Sequence, residues 1–255
     1  MPREDMTPRI PILMYHQIDA PPPRGTPMRG LVVASRDFAW QMRLLKLMGY
    51  RGLALCDLMP YLRGEKAGKV VGITLDDGYR NNLEHALPVL QRHEFTATCY
   101  AVSSLVGKTN SWDASIGVPE KPLMTLDELR TWTRAGMEVG AHTRTHVDLT
   151  RLGTVAARDQ IEGCKHELES TLGVPVRHFC YPFGEFDKRV VGLVRGAGYQ
   201  SAVTTQRGRA AVGGNLFGLP RVLVSRASHT GQFLLKLATT YEDQRGKEAV
   251  RHEAA

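Results

Sequence analysis

Val70-Val71-Gly72-Ile73-Thr74-Leu75-Asp76-Asp77-Gly78-Tyr79 is the stretch around which the chain is organised. Its first six residues carry no charge and are mostly β-branched, which is the pattern of a strand buried on both faces. The strand ends in two adjacent carboxylates and a glycine. Burying one unpaired carboxylate costs several kcal/mol, and two neighbours repel each other. The pair therefore calls for a cation, a protonated partner or an open strand end.

Outward from this strand, apolar runs and helical patterns alternate along the chain. Strand patterns fall at 10–15, 50–55, 95–102, 137–141, 179–181, 199–205 and 219–225. Ser35 is read as capping a helix with Phe38, Met42 and Leu45 on its apolar face, and Asp57, Thr125, Asp187 and Thr230 as capping further helices. Pro88 is expected to kink the helix that carries Leu83, Leu87 and Leu90. Strand–helix alternation implies a parallel sheet, and seven or eight units in 255 residues favour a closed barrel in one domain. No glycine-rich phosphate loop follows the first strand, which argues against a dinucleotide fold. We expect one domain over 10–240, a flexible segment over 1–9 and a frayed, charged tail over 241–255.

The net charge of +7 is scattered, with no run of five basic residues, so no nucleic-acid partner is expected. Such a surface suits an anionic polymer, or peripheral contact with an anionic membrane. The four cysteines lie far apart without a CxxC and read as buried free thiols. The N-terminal residues carry acids, and no apolar run approaches the length of a membrane span; a cytoplasmic location is the expectation.

In parallel barrels the active site lies at the C-terminal strand ends. His16, Asp76-Asp77, His142 and the turn Tyr181-Pro182-Phe183-Gly184 all fall there. His142-Thr143-Arg144-Thr145-His146 places two imidazoles four residues apart, which on a helical turn puts both on one side. Two histidines, a carboxylate and an open position make a catalytic zinc-type site. The remaining histidines, His178 among them, fall on helix faces, loops or the tail and receive no role.

Thr74-Leu75-Asp76-Asp77-Gly78 followed by His142-Thr143-Arg144-Thr145-His146 resembles the first two motifs of the NodB-homology polysaccharide deacetylases, carbohydrate esterase family 4. The resemblance runs from Ile12-Leu13-Met14-Tyr15-His16 to Leu219-Pro220-Arg221. Trp112-Asp113, Phe179-Cys180-Tyr181-Pro182-Phe183-Gly184 and Ala202-Val203-Thr204-Thr205 are similar to the branch that includes poly-N-acetylglucosamine deacetylases. The resemblance implies an irregular (β/α)7 barrel that hydrolyses N-acetyl groups from amino sugars, with a carbohydrate as its partner. It implies Asp77, His142 and His146 as ligands of one divalent ion (zinc, or cobalt or nickel) and Asp76 as general base. Tyr181, Pro182 and Phe183 would line the substrate groove with Trp112, and the Phe183 N–H would face an oxyanion. Where many members have an arginine in the third motif this chain has Cys180, and Arg221 is the candidate replacement. Where the last motif usually supplies an acid histidine it reads Leu223-Val224-Ser225, and His16 is the candidate proton donor. The alternatives are a hydrolase of the same barrel acting on a non-sugar amide, and a glycan-binding module without catalysis.

Overall fold

The computed structural model describes residues 7–253, with side chains up to residue 247; the first six residues of the expected flexible N-terminus lie outside the described residues. Eight parallel strands form the principal sheet: β1 (Ile12–Tyr15), β2 (Arg51–Leu53), β3 (Val70–Leu75), β4 (Thr98–Ala101), β5 (Glu138–Ala141), β6 (His178–Cys180), β7 (Ser201–Arg207) and β8 (Leu219–Leu223). Seven of them close a barrel in the order β1-β8-β7-β6-β5-β4-β3, and β3 returns to β1 with Ile12 opposite Gly72 and Tyr15 opposite Leu75. β2 fills the lower part of the β3–β4 seam, opposite Val70 to Gly72, while β4 pairs only with Thr74 and Leu75 above it. This wedge makes the barrel irregular. All six residues of β3 are buried, as a central parallel strand requires.

Period-two alternation separates two apolar layers. Leu13, Ile73, Leu75, Val139, Phe179 and Tyr181 face the surrounding helices. Ile12, Val70, Tyr100, Cys180 and Val203 share the other cluster with the helix over Leu55–Leu62.

The helices are α1 (Ser35–Leu47), α2 (Leu55–Leu62), α3 (Leu87–Arg92), α4 (Leu126–Arg134), α5 (Thr154–Arg158), α6 (Cys164–Leu172), α7 (Lys188–Gly196), α8 (Thr230–Ala238) and α9 (Tyr241–Glu253). Thr125 forms a full capping box with Glu128, and Asp187 caps α7 through Val190 N–H. The other expected caps are displaced. Ser35 and Thr230 are the first helical residues behind Ala34 and His229, and Asp57 lies inside α2, accepting from Thr96.

Two helices contain a π-turn, Asn82–Ala86 before α3 and Asp159–Gly163 between α5 and α6. Pro88 has no N–H to offer the carbonyl of Glu84, so the expected irregularity takes the form of a widened turn ahead of it. The segment from Tyr241, expected to fray, is instead a docked helix. Glu242 is fully buried and takes two bonds from Arg207 at 2.8 Å, and Asp243 is held by Arg209 at 2.7 Å.

Contrary to expectation, His178 sits on strand β6, fully buried, and its Nε2 lies 3.5 Å from Glu138 Oε1. Burial pushes the His178 imidazole down to about 3 and the Glu138 carboxyl up to about 7. As pH falls from about 7 to 5, unfolded His178 takes up a proton that the folded state refuses, which favours unfolding by about 2 kcal/mol. Over the same interval folded Glu138 takes up a proton earlier than the unfolded chain, which favours folding by about as much. Relative to the parent, Glu138→Gln should lose about 2 kcal/mol of stability between those pH values, and His178→Gln should gain a similar amount. Chemical denaturation at both pH values checks this, and parallel stability–pH curves for all three proteins would contradict it.

Candidate active site

Strand β3 delivers Asp76 and Asp77 to the top of the barrel, where both are almost fully buried. Asp77 takes φ 74°, a left-handed conformation that costs about 1 kcal/mol or more outside glycine. The turn sends the two carboxylates to different partners.

Asp77 Oδ1 lies 3.3 Å from His142 Nε2 and 3.4 Å from His146 Nε2. One donor atom from each residue falls within 4.8 Å of the others. His142 Nδ1 donates to the Cys180 carbonyl at 2.8 Å, which orients the ring and aims Nε2 at Asp77. Burial lowers the His146 pKa, which favours its neutral form. Two imidazole nitrogens and one carboxylate oxygen, buried and convergent, fit a divalent ion of the zinc type.

The expected helical turn between the two histidines is absent. The segment is a tight non-helical turn with Thr143 at φ 63° and His146 at φ 57°. Gln160, in the second π-turn, holds it: its Oε1 accepts from the Arg144 and Thr145 N–H groups, both at 3.1 Å, and from the Thr145 hydroxyl at 3.2 Å. Arg144 is clamped by Asp159 and Glu167, each at 2.7 Å.

Arg221 rises on β8 and is completely buried. Its Nη1 and Nη2 donate to the two oxygens of Asp76, both at 2.7 Å. The same guanidinium donates to the Thr204 carbonyl at 2.8 Å and the Thr74 hydroxyl at 3.0 Å, and lies 3.4 Å from Cys180 Sγ. The small Cys180 side chain leaves the space that the guanidinium fills. Burial alone would raise the Asp76 pKa, but Arg221 outweighs it and holds the carboxyl below its usual range. His16 Nε2 approaches Asp76 Oδ2 to 3.9 Å.

The aromatic residues divide. Trp112 stacks on His146 with centroids 4.4 Å apart, and Phe183 meets the same ring edge-on at 4.8 Å. Phe183 is 52 % exposed and left-handed at φ 60°. A Cβ on the next residue, Gly184, would lie 1.9 Å from Thr205 Oγ1, so only glycine fits where Thr205 bonds the Phe183 carbonyl. Tyr181, expected in the groove, points the other way. Cys180 faces the barrel interior, so its neighbour faces the helices, where the Tyr181 hydroxyl donates to the Phe217 carbonyl at 3.1 Å. Pro182 is likewise buried and shapes the turn.

A narrow cavity of about 40 Å³ opens beside His16, Asp77, Tyr79 and Asp113, walled by Pro22, Met28 and Val118. A larger groove of about 740 Å³ runs from Gly184 to helix α9 and contains neither Asp76 nor the Asp–His–His cluster. Asn82 and Gln160 are polar residues in helical patterns, which carry no distinguishing sequence signal.

The family model for polysaccharide deacetylases matches residues 63–202. The solved Streptococcus pyogenes deacetylase PplD, in complex with acetate, superposes with a TM-score of 0.80 at 25% identity, covering 91% of this chain and 100% of that one. BC0361, a polysaccharide deacetylase from Bacillus cereus, gives a TM-score of 0.77 at 29% identity over 91% of this chain and 69% of its own. The poly-β-1,6-N-acetyl-D-glucosamine N-deacetylase of Staphylococcus epidermidis is 23% identical over 76% of this chain and 68% of its own length. Among the described residues, no helix is long and apolar enough to cross a membrane. With the barrel, the strand-end carboxylates and the family match in agreement, the chain belongs to the polysaccharide deacetylase family.

Proposed function

We propose that the chain is a metal-dependent hydrolase that removes N-acetyl groups from N-acetylglucosamine units of a glycan or glycan precursor and releases acetate. The observation that carries this reading is the convergence of Asp77 Oδ1 on Nε2 of His142 and His146, at 3.3 and 3.4 Å, beside a second buried carboxylate. Asp77, His142 and His146 would hold one divalent ion, for which zinc is the best match to the donor set. When bound there, such an ion would supply Lewis-acid polarisation of the amide carbonyl and lower the pKa of a nearby water.

Asp76 is the general base. Arg221 keeps it ionised, so it can accept the proton of the attacking water at neutral pH. His16, on the other side of Asp76, donates the proton that the departing amine requires. The N–H of Phe183, set by the left-handed turn before Gly184, faces the oxygen that becomes negative. The exposed Phe183 ring and Trp112 offer apolar faces to a sugar ring. A cavity of only about 40 Å³ beside His16 suits a small acyl group. The Staphylococcus epidermidis relative, by its name a poly-β-1,6-N-acetyl-D-glucosamine N-deacetylase, supports the substrate class.

Metal removal is the test. Chelation should abolish acetate release from N-acetylglucosamine oligomers, and Zn²⁺, Co²⁺ or Ni²⁺ should restore it. His142→Ala should weaken metal binding at least about 100-fold by calorimetry, since a ligand is lost outright. Parent-like metal affinity in that variant would place the site elsewhere.

A further inference from the structure

The His16 side chain is poorly tethered. Among the described residues its ring makes one ion pair within 4 Å, with Asp76 at 3.9 Å, and the buried Nδ1 has no hydrogen-bond partner. A proton donor must nonetheless be held within a fraction of an ångström of its target, because misplacement by about 1 Å can cost about 100-fold in rate. The restraint on His16 therefore comes through its backbone.

On the N-terminal side, the Tyr15 carbonyl accepts from Asp76 N–H at 2.9 Å. On the other side stands Asn82, whose fully buried side chain bridges the segment at two points. Its Nδ2 donates to the His16 carbonyl at 2.8 Å, and its Oδ1 accepts from Ile18 N–H at 3.2 Å. Asn82 opens the first π-turn, and its own N–H is bonded to the Tyr79 carbonyl at 3.1 Å. Neighbouring Asn81 adds a bond from its Nδ2 to Gln17 Oε1 at 3.1 Å. One short segment, Asp76 to Asn82, thus carries both carboxylates and then braces the backbone of the residue opposite them.

We propose that Asn82 is a positioning residue for the proton donor, fixing the backbone of His16 so that its ring meets the leaving amine. The proposal rests on His16 being that donor. Widened turns recur beside functional sites because the extra residue redirects a side chain. The second π-turn of this chain does the same for the His142–His146 segment through Gln160.

Asn82→Leu is the informative variant, since it keeps the size of the side chain and removes the donor to the His16 carbonyl together with the acceptor for Ile18 N–H. On zinc-loaded protein, acetate release from N-acetylglucosamine oligomers should fall at least about 10-fold, through kcat rather than KM. Hydrolysis of an aryl acetate, whose leaving group needs no proton, should stay within about 2-fold, with zinc content unchanged. His16→Ala should show the same split more strongly, and in that background Asn82→Leu should cost less than about 2-fold more, because residues that act as a unit are non-additive.

Equal losses on both substrates, or an additive loss in the His16→Ala background, would overturn the assignment of Asn82 and leave the role of His16 intact. If His16→Ala itself lost both activities equally, His16 would not be the donor, and the assignment would fall with it. Should Asn82→Leu not fold, Asn82→Ala, which has no polar side-chain atom, is read in the same way. Failure of both to fold would make Asn82 a stability residue and refute the proposal.

Discussion

Replacing Arg221 with methionine is expected to cost about 3–5 kcal/mol of stability and to reduce deacetylation at least about 100-fold. Arg221 and Asp76 are a fully desolvated pair joined by two bonds of 2.7 Å. Removing the guanidinium leaves a carboxylate buried at the head of β3 without a counter-charge, the situation that makes broken buried pairs so costly. Asp76 would then escape by keeping its proton, since burial raises its pKa once Arg221 no longer offsets it. A protonated Asp76 cannot serve as a base.

The two effects separate in the double variant. Arg221→Met with Asp76→Asn removes the charge as well as its partner, so most of the stability should return while activity stays absent. Arg221→Lys should recover part of both, because an ammonium supplies charge without the two-pronged grip. Thermal unfolding and kcat on an N-acetylglucosamine oligomer measure these quantities. A methionine variant with parent-like kcat would remove Arg221 from the account.

Asp76→Asn alone should retain the metal and lose about 10²–10⁴ in rate, the usual contribution of a general base. The asparagine is nearly isosteric and can still accept one bond from Arg221. Asp77 and its two imidazoles are untouched by the change. Zinc content by elemental analysis and kcat on the same sample decide the point. Loss of zinc together with activity would make Asp76 a ligand and leave the base unassigned.

The Asp–His–His cluster was legible because its signal is local. A buried strand must end before it can carry two carboxylates, and parallel strands end on the same face. The capping box at Thr125 and the cap at Asp187 were legible for the same reason, since both lie within one turn of chain. Tyr181 lies outside the groove for a reason that strand alternation already holds: with Cys180 directed into the barrel, its neighbour points out. The spacing of His142 and His146 pointed to two converging rings through the wrong geometry, since the turn is built from left-handed residues and not from a helix.

Long-range partners were less accessible. Arg221 and Asp76 are 145 residues apart, and only barrel closure brings β8 next to β1 and so across from β3. Asn82 and Gln160 carry no pattern at all, because a buried amide that bonds a backbone segment looks in sequence like any polar residue on a helix. The docked C-terminal helix escaped because its charges read as solvated, whereas Glu242 and Asp243 are matched by Arg207 and Arg209 from β7 and the residues just after it.

The proposed activity of this barrel is the removal of acetyl groups from amino sugars. Its most direct test is acetate release by zinc-loaded protein from β-1,4- and β-1,6-linked N-acetylglucosamine oligomers, compared with a non-sugar N-acetyl amide. Acetate should appear from at least one oligomer in step with new free amines, and the Asp76→Asn protein should release at least about 100-fold less. Cleavage of the non-sugar amide with none of either oligomer would contradict the account.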